Sequence, residues 1–243
     1  MWVVLPTYNE RENLEQIAEA ILTALPQAGL LVVDDNSPDG TGQLADTLAA
    51  RNSRLEVLHR AAKQGIGVAY RDGFRWVLAH PDAEAVVQMD ADFSHDPKDL
   101  PRLLAPLMHG ADLVLGTRYI PGGETVGWPW YRRAISVGGT TFARSILLLP
   151  YRDLTGGFKA WRRELLENLR LRETTANGYG FQVEMTWWAH RRRARIVQVP
   201  IVFRERIAGR SKMSGDIVRE AMLLVLRLRV GAVRDALRRR PSS

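Results

Sequence analysis

Short apolar runs, each closed by a polar cluster and followed by a helical repeat, recur through the first hundred residues of this chain. Residues 2–5 open the series and run into Pro6-Thr7-Tyr8-Asn9-Glu10. Residues 30–33 end in Asp34-Asp35, followed by Asn36-Ser37-Pro38-Asp39-Gly40, a strong turn signal. Residues 85–89 end in Asp90-Ala91-Asp92, and 55–58 and 113–115 are further strand-like runs. Between them Leu14, Ile17, Ala18, Ile21 and Leu22 repeat at helical spacing, and helices are expected over about 41–50 and 68–79. Asn9 and Glu12 are spaced as an N-cap and its N3 acid. Asp96, Pro97 and Asp99 read as an N-cap, a first-turn proline and an N3 acid. Strands alternating with helices build an α/β protein with a doubly wound, mostly parallel, Rossmann-like sheet. Such sheets bind ligands beyond the carboxyl ends of their strands, where all three acidic or polar clusters fall.

The bounds are consistent with that class. The chain has 243 residues, 46% of them apolar, enough for one large-sheet domain with an appendage. With no cysteine, disulfide frameworks and thiolate chemistry are excluded. The first residues read as a strand rather than a signal peptide, and no run approaches the roughly 20 apolar residues of a membrane span. The net charge of +7 is unevenly spread: residues 1–100 hold 8 basic and 16 acidic side chains, residues 191–243 hold 15 and 4. A basic tail on an acidic head suits an anionic membrane surface or a phosphorylated substrate. Nucleic acid is disfavoured as a partner, because no helix-turn-helix, zinc-finger or RNP-type pattern is present.

Asp90 and Asp92 are two apart at the end of an apolar run, and a strand would point both to one face. Two adjacent carboxylates repel unless a cation joins them. A hard ion such as Mg²⁺ or Mn²⁺ fits, since it takes one or two carboxylates plus substrate phosphates. A solvated acidic loop is the bland alternative for the triplet taken alone.

The chain resembles a known family at several separate places. Leu5-Pro6-Thr7-Tyr8-Asn9-Glu10, residues 32–41 and Met89-Asp90-Ala91-Asp92-Phe93-Ser94-His95 resemble the nucleotide-sugar half of family 2 (GT-A fold) glycosyltransferases. Gly116-Thr117-Arg118-Tyr119, Gly122-Gly123, Trp128 and Arg132-Arg133-x-x-Ser136 resemble the dolichol-phosphate (polyprenol-phosphate) mannose synthase branch. So do residues 153–159, 178–185 and the stretch from Val199 to Lys212, which includes Glu205-Arg206 and Ser211-Lys212. The similarity covers about residues 2–213; residues 1–213 are taken as the catalytic domain, with 214–243 as a basic amphipathic helical segment.

The resemblance implies an inverting transfer of mannose from GDP-mannose to a polyprenyl monophosphate lipid, with release of GDP. Its nearest rival is the same fold using UDP-glucose. A rival of another class is a catalytically silent nucleotide-binding, membrane-docking subunit, which would be expected to lack Asp92 or the arginines. The resemblance places the base and ribose among Pro6, Tyr8, Glu10, Asp34 and Asp35, and Ser94 near the metal. Asp92, assisted by Asp90, would hold Mg²⁺ or Mn²⁺ where charge builds on the leaving diphosphate.

A phosphate acceptor, with a second pKa of about 6, is already anionic and needs cations rather than a base. Arg118, Arg132, Arg206 and Lys212 are the candidates, with Arg133 a neighbour of Arg132. Asp153 would hold sugar hydroxyls, orient an arginine or brace its turn; Glu184 would touch sugar, pair an arginine or act structurally. His95 reads as a plain polar contact.

In the tail, Ile217, Val218, Ala221, Leu224, Val225 and Leu228 follow helical spacing, with Arg219, Arg227, Arg234 and Arg238 mostly opposite. Such a helix either lies in a membrane interface or packs on the domain. Residues 140–149 are a second candidate for a membrane surface. The expected location is the cytoplasm, peripherally on the cytoplasmic face of a membrane, with a membrane-protein partner as a further candidate.

Overall fold

The computed structural model describes residues 1–169, 171, 174–178, 180–205 and 215–238, and within the last segment the side chains of 219–234. The described strands are β1 (Trp2–Thr7), β2 (Gly29–Asp34), β3 (Leu55–His59), β4 (Ala85–Gln88), β5 (Leu113–Thr117), β6 (Glu124–Val126), β7 (Lys159–Arg162), β8 (Ile196–Pro200) and β9 (Val202–Arg204). The helices are α1 (Arg11–Ala24), α2 (Thr41–Arg51), α3 (Ile66–Leu78), α4 (Leu100–Met108), α5 (Trp130–Leu147), α6 (Arg163–Asn168), α7 (Gly180–Arg191) and α8 (Gly215–Arg238).

Seven strands form one sheet in the order β3-β2-β1-β4-β7-β5-β8, and β6 pairs with β9 in a separate ribbon. All neighbours in the large sheet are parallel except β7, which runs antiparallel between β4 and β5. The mostly parallel sheet expected from the sequence is therefore present. After β3 the chain returns to the other side of β1 to lay down β4, so the strand order switches direction between β1 and β4. Their ladder pairs only Trp2–Val4 with Val86–Gln88. Beyond it the two carboxyl ends are no longer paired, and a crevice forms at the switch point, as open α/β sheets favour.

Strand alternation sorts the core into two layers. Val4, Leu31 and Val33 face a layer built with Tyr70, Phe74, Trp161 and Phe181, and Val3, Leu5, Leu30 and Val32 face one built with Leu14, Ile17, Ile21, Leu100 and Leu103. Helix α8 joins the first layer through Leu224 and Val225 and packs on α5 and α7. Its packed face coexists with an apolar exposed one: Met222, Leu223, Leu226, Val230 and Val233 are all open to solvent.

Two local expectations are corrected. Asn9 does not cap α1. It takes a left-handed conformation (φ 59°), and its N–H donates to Ser37 Oγ at 3.1 Å, while Glu10 occupies the cap position. The Glu10 N–H donates to Thr41 Oγ1 at 3.0 Å, so the start of α1 is satisfied from the start of α2 rather than by a local box. Asp90 and Asp92 also do not belong to a strand, because β4 stops at Gln88. They lie on the turn beyond it, where Phe93 is left-handed (φ 59°), so the turn and not the pleat brings them together. The Asp96 cap is present, accepting from the Lys98 N–H at 2.9 Å with Pro97 in a short 3₁₀ turn ahead of α4.

Candidate active site

Two cavities open on the carboxyl rim of the sheet, and they share Ile66, Asp90 and Asp92. The first, of about 220 Å³, lies at the β1/β4 crevice and is lined by Pro6, Thr7, Tyr8, Glu10, Asp35 and Lys63 among others. The Lys63 ammonium stands 4.1 Å from the centre of the Tyr8 ring. The second, of about 160 Å³, has a polar floor of Ser94, Arg118, Arg132 and Thr155 and apolar walls from α5, α7 and α8: Ile135, Phe142, Val183, Met222 and Val225. The two carboxylates therefore stand at the divide between a cavity that several charged side chains line and a more apolar one.

Asp92 is buried, and its Oδ1 accepts the Ser94 N–H at 3.1 Å. Asp90 accepts from the Tyr70 hydroxyl at 3.2 Å, and Tyr70 is itself stacked on Phe181 in the core. Ser94 Oγ is buried with no hydrogen-bond partner among the described residues. Two carboxylates and an unsatisfied hydroxyl at a cavity wall suit a hard divalent cation. Among the described residues no cluster of three or more His, Asp or Glu could enclose such an ion alone. The protein would thus leave coordination positions for phosphate oxygens and water, the habit of Mg²⁺ and similar ions. His95 Nδ1 accepts the Asp90 N–H at 3.2 Å, its ring stacks on Phe158, and burial holds its pKa below the ordinary histidine value. It braces the carboxylate turn from behind.

Asp34 and Asp35 part company. Asp34 turns back into the fold, accepting from Thr7 Oγ1 (3.1 Å), the Ser37 N–H (3.0 Å) and Ser37 Oγ (2.5 Å). It does not line the cavity, which corrects its expected place in the nucleotide pocket; the hydroxyls of the following turn capture it. Asp35 does line the cavity and pairs with Arg60, which also holds Asp72 at 3.0 Å. Burial raises the Asp35 pKa despite that arginine.

The acceptor-side arginines are held in two ways. Arg118 is buried and bidentate on Asp153, with Nε to Oδ2 at 2.6 Å and Nη2 to Oδ1 at 2.8 Å; Nη2 also donates to Thr155 Oγ1 at 2.8 Å. Burial opposes the charge on Asp153, but the Arg118 guanidinium and its hydrogen bonds outweigh it and hold the carboxyl below its usual range. Asp153 is thus an arginine-orienting group. Arg132, in the first turn of α5, donates from Nη1 to both oxygens of Glu205 at 2.6 and 2.7 Å. Both guanidiniums stand within 5.4 Å of the Trp128 ring centre, and Arg118 lies 5.3 Å from that of Phe203. Arg133 is exposed and does not line the cavity. Arg206 and Lys212 lie outside the described residues.

Glu184 takes the structural one of the roles open to it, and Arg71 is a contributor that sequence reasoning missed. Glu184 accepts the N–H groups of Thr175 and Ala176, each at 3.0 Å, and Arg71 donates to Ala176 O and to Asn177 Oδ1, each at 2.8 Å. Together they clamp the 174–178 loop over the start of α3. There a Cβ on Gly65 or Gly67 would collide with the carbonyl of Asn177 or Ala176. The two glycines carried the local signal; Arg71, more than 100 residues from its partners, carried none.

A mostly parallel sheet with paired carboxylates at its switch point and arginines beside them is an α/β fold of the GT-A-like class. The family model for glycosyl transferase family 2 matches residues 2–170, and the chain belongs to that family. It is 49% identical to the polyprenol monophosphomannose synthase of Mycolicibacterium smegmatis over 92% of this chain and 84% of that protein. It is 47% identical to the undecaprenyl-phosphate mannosyltransferase of Micrococcus luteus, over 98% and 97%. The dolichol-phosphate mannosyltransferase of Pyrococcus furiosus is 34% identical over 93% and 62%. Among solved structures, glucosyl-3-phosphoglycerate synthase from Mycobacterium tuberculosis, bound to Mn²⁺, UDP and glucosyl-3-phosphoglycerate, shares the fold. Its TM-score is 0.70 at 24% identity, covering 93% of this chain and 78% of that one.

Proposed function

We propose that the protein transfers mannose from GDP-mannose to a polyprenyl monophosphate, releasing GDP. The observation that carries this reading is the shared wall: the same two carboxylates border a cavity lined also by Tyr8, Glu10, Asp35 and Lys63 and a more apolar one floored by arginines. The names of the relatives support mannose and a polyprenyl phosphate.

In this reading Pro6, Tyr8, Glu10 and Asp35 border the nucleoside, and the diphosphate lies toward Asp90 and Asp92. Asp90 and Asp92, with Ser94 beside them, would hold a divalent cation, which would supply neutralisation of the charge that builds on the departing diphosphate. Mn²⁺ in the related fold supports a divalent ion, with Mg²⁺ the other candidate. The acceptor phosphate sits on Arg118 and Arg132, cations in place of a general base, since its oxygen is anionic near neutral pH. One phosphate oxygen attacks the anomeric carbon as the bond to the diphosphate oxygen breaks. This single displacement inverts the sugar's configuration and balances with no proton to remove. Arg206 and Lys212 are further candidates for phosphate contact.

The prenyl chain follows the apolar walls of α5, α7 and α8. No helix among the described residues is long and apolar enough to cross a membrane. Access to a bilayer lipid is instead attributed to the exposed apolar residues of α5 (Trp130, Tyr131, Ile135) and α8 (Leu226, Val230, Val233), at a cytoplasmic membrane face.

The test is transfer of labelled sugar into organic-extractable lipid, from GDP-mannose and UDP-glucose in parallel, with a short polyprenyl phosphate and Mg²⁺ or Mn²⁺. Label from GDP-mannose alone is expected. Label only from UDP-glucose would move the donor to the glucosyl rival. No label from either, with nucleotide still bound, would point to a missing partner, a different sugar or the silent subunit.

A further inference from the structure

Asp34 and Asp35 are adjacent buried acids, and the fold satisfies them by different means. Hydroxyls and an N–H hold Asp34, whereas Asp35 meets a guanidinium. The parallel ladder pairs Asp34 with His59, so Arg60 follows β3 at the level where Asp35 follows β2, and its N–H donates to Asp34 O at 2.8 Å. The Arg60 side chain is only 6% exposed, and its three nitrogens go three ways. Nη1 pairs with Asp35, Nε with Asp72 Oδ2 of α3 at 3.0 Å, and Nη2 with Gln64 Oε1 at 3.0 Å. Gln64 stands between Lys63 and Gly65, which line the nucleoside cavity together with Asp35; Arg60 itself does not line it.

We propose that Arg60 is a positioning residue for the donor: it holds Asp35 as an ionised, oriented acceptor for the N–H or O–H groups of the nucleoside. This rests on the donor reading given above. Burial pushes the Asp35 pKa up, and the neighbouring Asp34 charge adds to it; the hydrogen bond and charge of Arg60, with Lys63, pull the other way. Asp72, shared with Arg75 at 2.9 Å, draws the far side of the guanidinium toward α3 and so fixes its plane. His59, beside Arg60, pairs with Asp46 of α2. Tyr8, Glu10, Asp90 and Asp92 are the other titratable side chains on the cavity wall. A protonated Asp35 would lose the charge-assisted hydrogen bonds that a carboxylate accepts, which are the strong ones. A lysine at position 60 would supply the charge but not the planar fork that reaches three partners.

Calorimetric titration of the full chain with GDP and Mg²⁺, repeated across the neutral pH range and with UDP as a second probe, reads this directly. Arg60→Gln should bind GDP about tenfold more weakly at neutral pH, the effect of losing one hydrogen bond to a charged group. Its affinity should also begin to fall at a higher pH than the wild type's, as Asp35 takes up a proton; titrations of the nucleotide and of the other wall residues are common to both proteins. Arg60→Lys should recover the wild-type pH profile with an intermediate affinity. In an Asp35→Asn background, adding Arg60→Gln should change affinity less than about threefold, because the arginine acts through that carboxylate. This double variant removes both charges together and stays readable if Arg60→Gln alone folds poorly. In turnover, the donor KM should rise more than kcat falls. Wild-type GDP affinity and pH profile in Arg60→Gln would overturn the inference and leave the donor reading standing. An equal loss with and without the Asp35 carboxylate would also overturn it and make Arg60 a brace of the turn after β3. If the wild type binds UDP alone, the GDP-mannose reading falls, and the same shifts read with UDP would support Arg60. A wild type that binds neither nucleotide would overturn the donor reading and the role of Arg60 with it.

Discussion

The donor side and the acceptor side of this site are built by different means. At the β1/β4 crevice Pro6–Glu10 and Asp35 follow from the paired ends of β1 and β2, and Asp90–Asp92 lie on the turn just past β4, so short-range backbone geometry sets their positions. Across the carboxylates, Arg118, Arg132 and Trp128 are set by side-chain pairs between segments far apart in sequence, and the cavity is closed by helices rather than strands. A site framed by a sheet resists deformation. One framed by side-chain ion pairs and packed helices depends on each of those side chains. Substitutions on each side should therefore fail in different ways.

The largest effect belongs to the shared wall. Asp92→Ala should lower turnover by about 10²–10³ or more, the range for removing one preorganised group opposite developing charge. It should also abolish metal-dependent donor binding in a fluorescence titration. Near-normal rates would remove Asp92 from the metal site and dissolve the contrast at its centre.

Next is the buried pair. Asp153→Asn leaves the Arg118 guanidinium buried without its counter-charge, a loss of about 3–5 kcal/mol by the measure of broken buried pairs. The fold holds Asp153 below its ordinary pKa of 3.8, so its stabilisation is complete above that value and drains away as pH falls through the lower folded value. Denaturant midpoints of wild type and variant should therefore differ widely at pH 7 and converge in acid. A constant gap would assign the loss to packing. Arg132→Ala, by contrast, should leave stability and donor affinity nearly intact and raise the acceptor KM about tenfold. If kcat and acceptor KM both hold, Arg132 lies outside the reaction.

The same division decided what was legible in the sequence. The donor half reads from short-range signals: apolar runs, turn residues and helical spacing within 30 residues. Even there the capping of α1 was misassigned, because Thr41 and Ser37 supply hydroxyls from the next βα turn. Asp34 looked like Asp35 until those same hydroxyls claimed it. The acceptor half defeats local patterns. β7 is only four residues long and slots antiparallel between β4 and β5, so no repeat marks it. The Arg118–Asp153 and Arg132–Glu205 pairs span 35 and 73 residues, and motif resemblance pointed to the arginines without showing that each arrives with an acid. In α8 the helical spacing did show in the sequence. The exposure of Met222, Leu226 and Val230 beside buried Leu224 and Val225 appears only once α5 and α7 are in place.

That second face offers a gentler test. Leu226→Ser with Val230→Ser should cost little stability, since both side chains are exposed, yet reduce co-sedimentation with anionic vesicles severalfold at about 25 cal/mol per Å² of apolar area kept in water. Unchanged vesicle binding would return this face to ordinary solvent.

A last effect comes from a charge that the site does not use. Lys159 is buried in β7, donating to Gln182 O at 2.7 Å and Thr186 Oγ1 at 2.9 Å in α7. Burial pushes its pKa down from 10.5 to about 7, with Asp153 pulling the other way. Between those two values the unfolded chain binds more protons than the folded one, so this lysine makes stability rise with pH from about 7 toward 10.5. Lys159→Met removes that slope. It need not strand a partner, because Thr186 Oγ1 already donates to Gln182 O at 2.8 Å. The variant should therefore match or exceed wild type near pH 7 and lose that advantage by pH 9.5 in paired urea denaturations. If the difference instead stays flat across that range, Lys159 keeps its proton in the fold and acts as a permanent buried cation beside the Arg118–Asp153 pair.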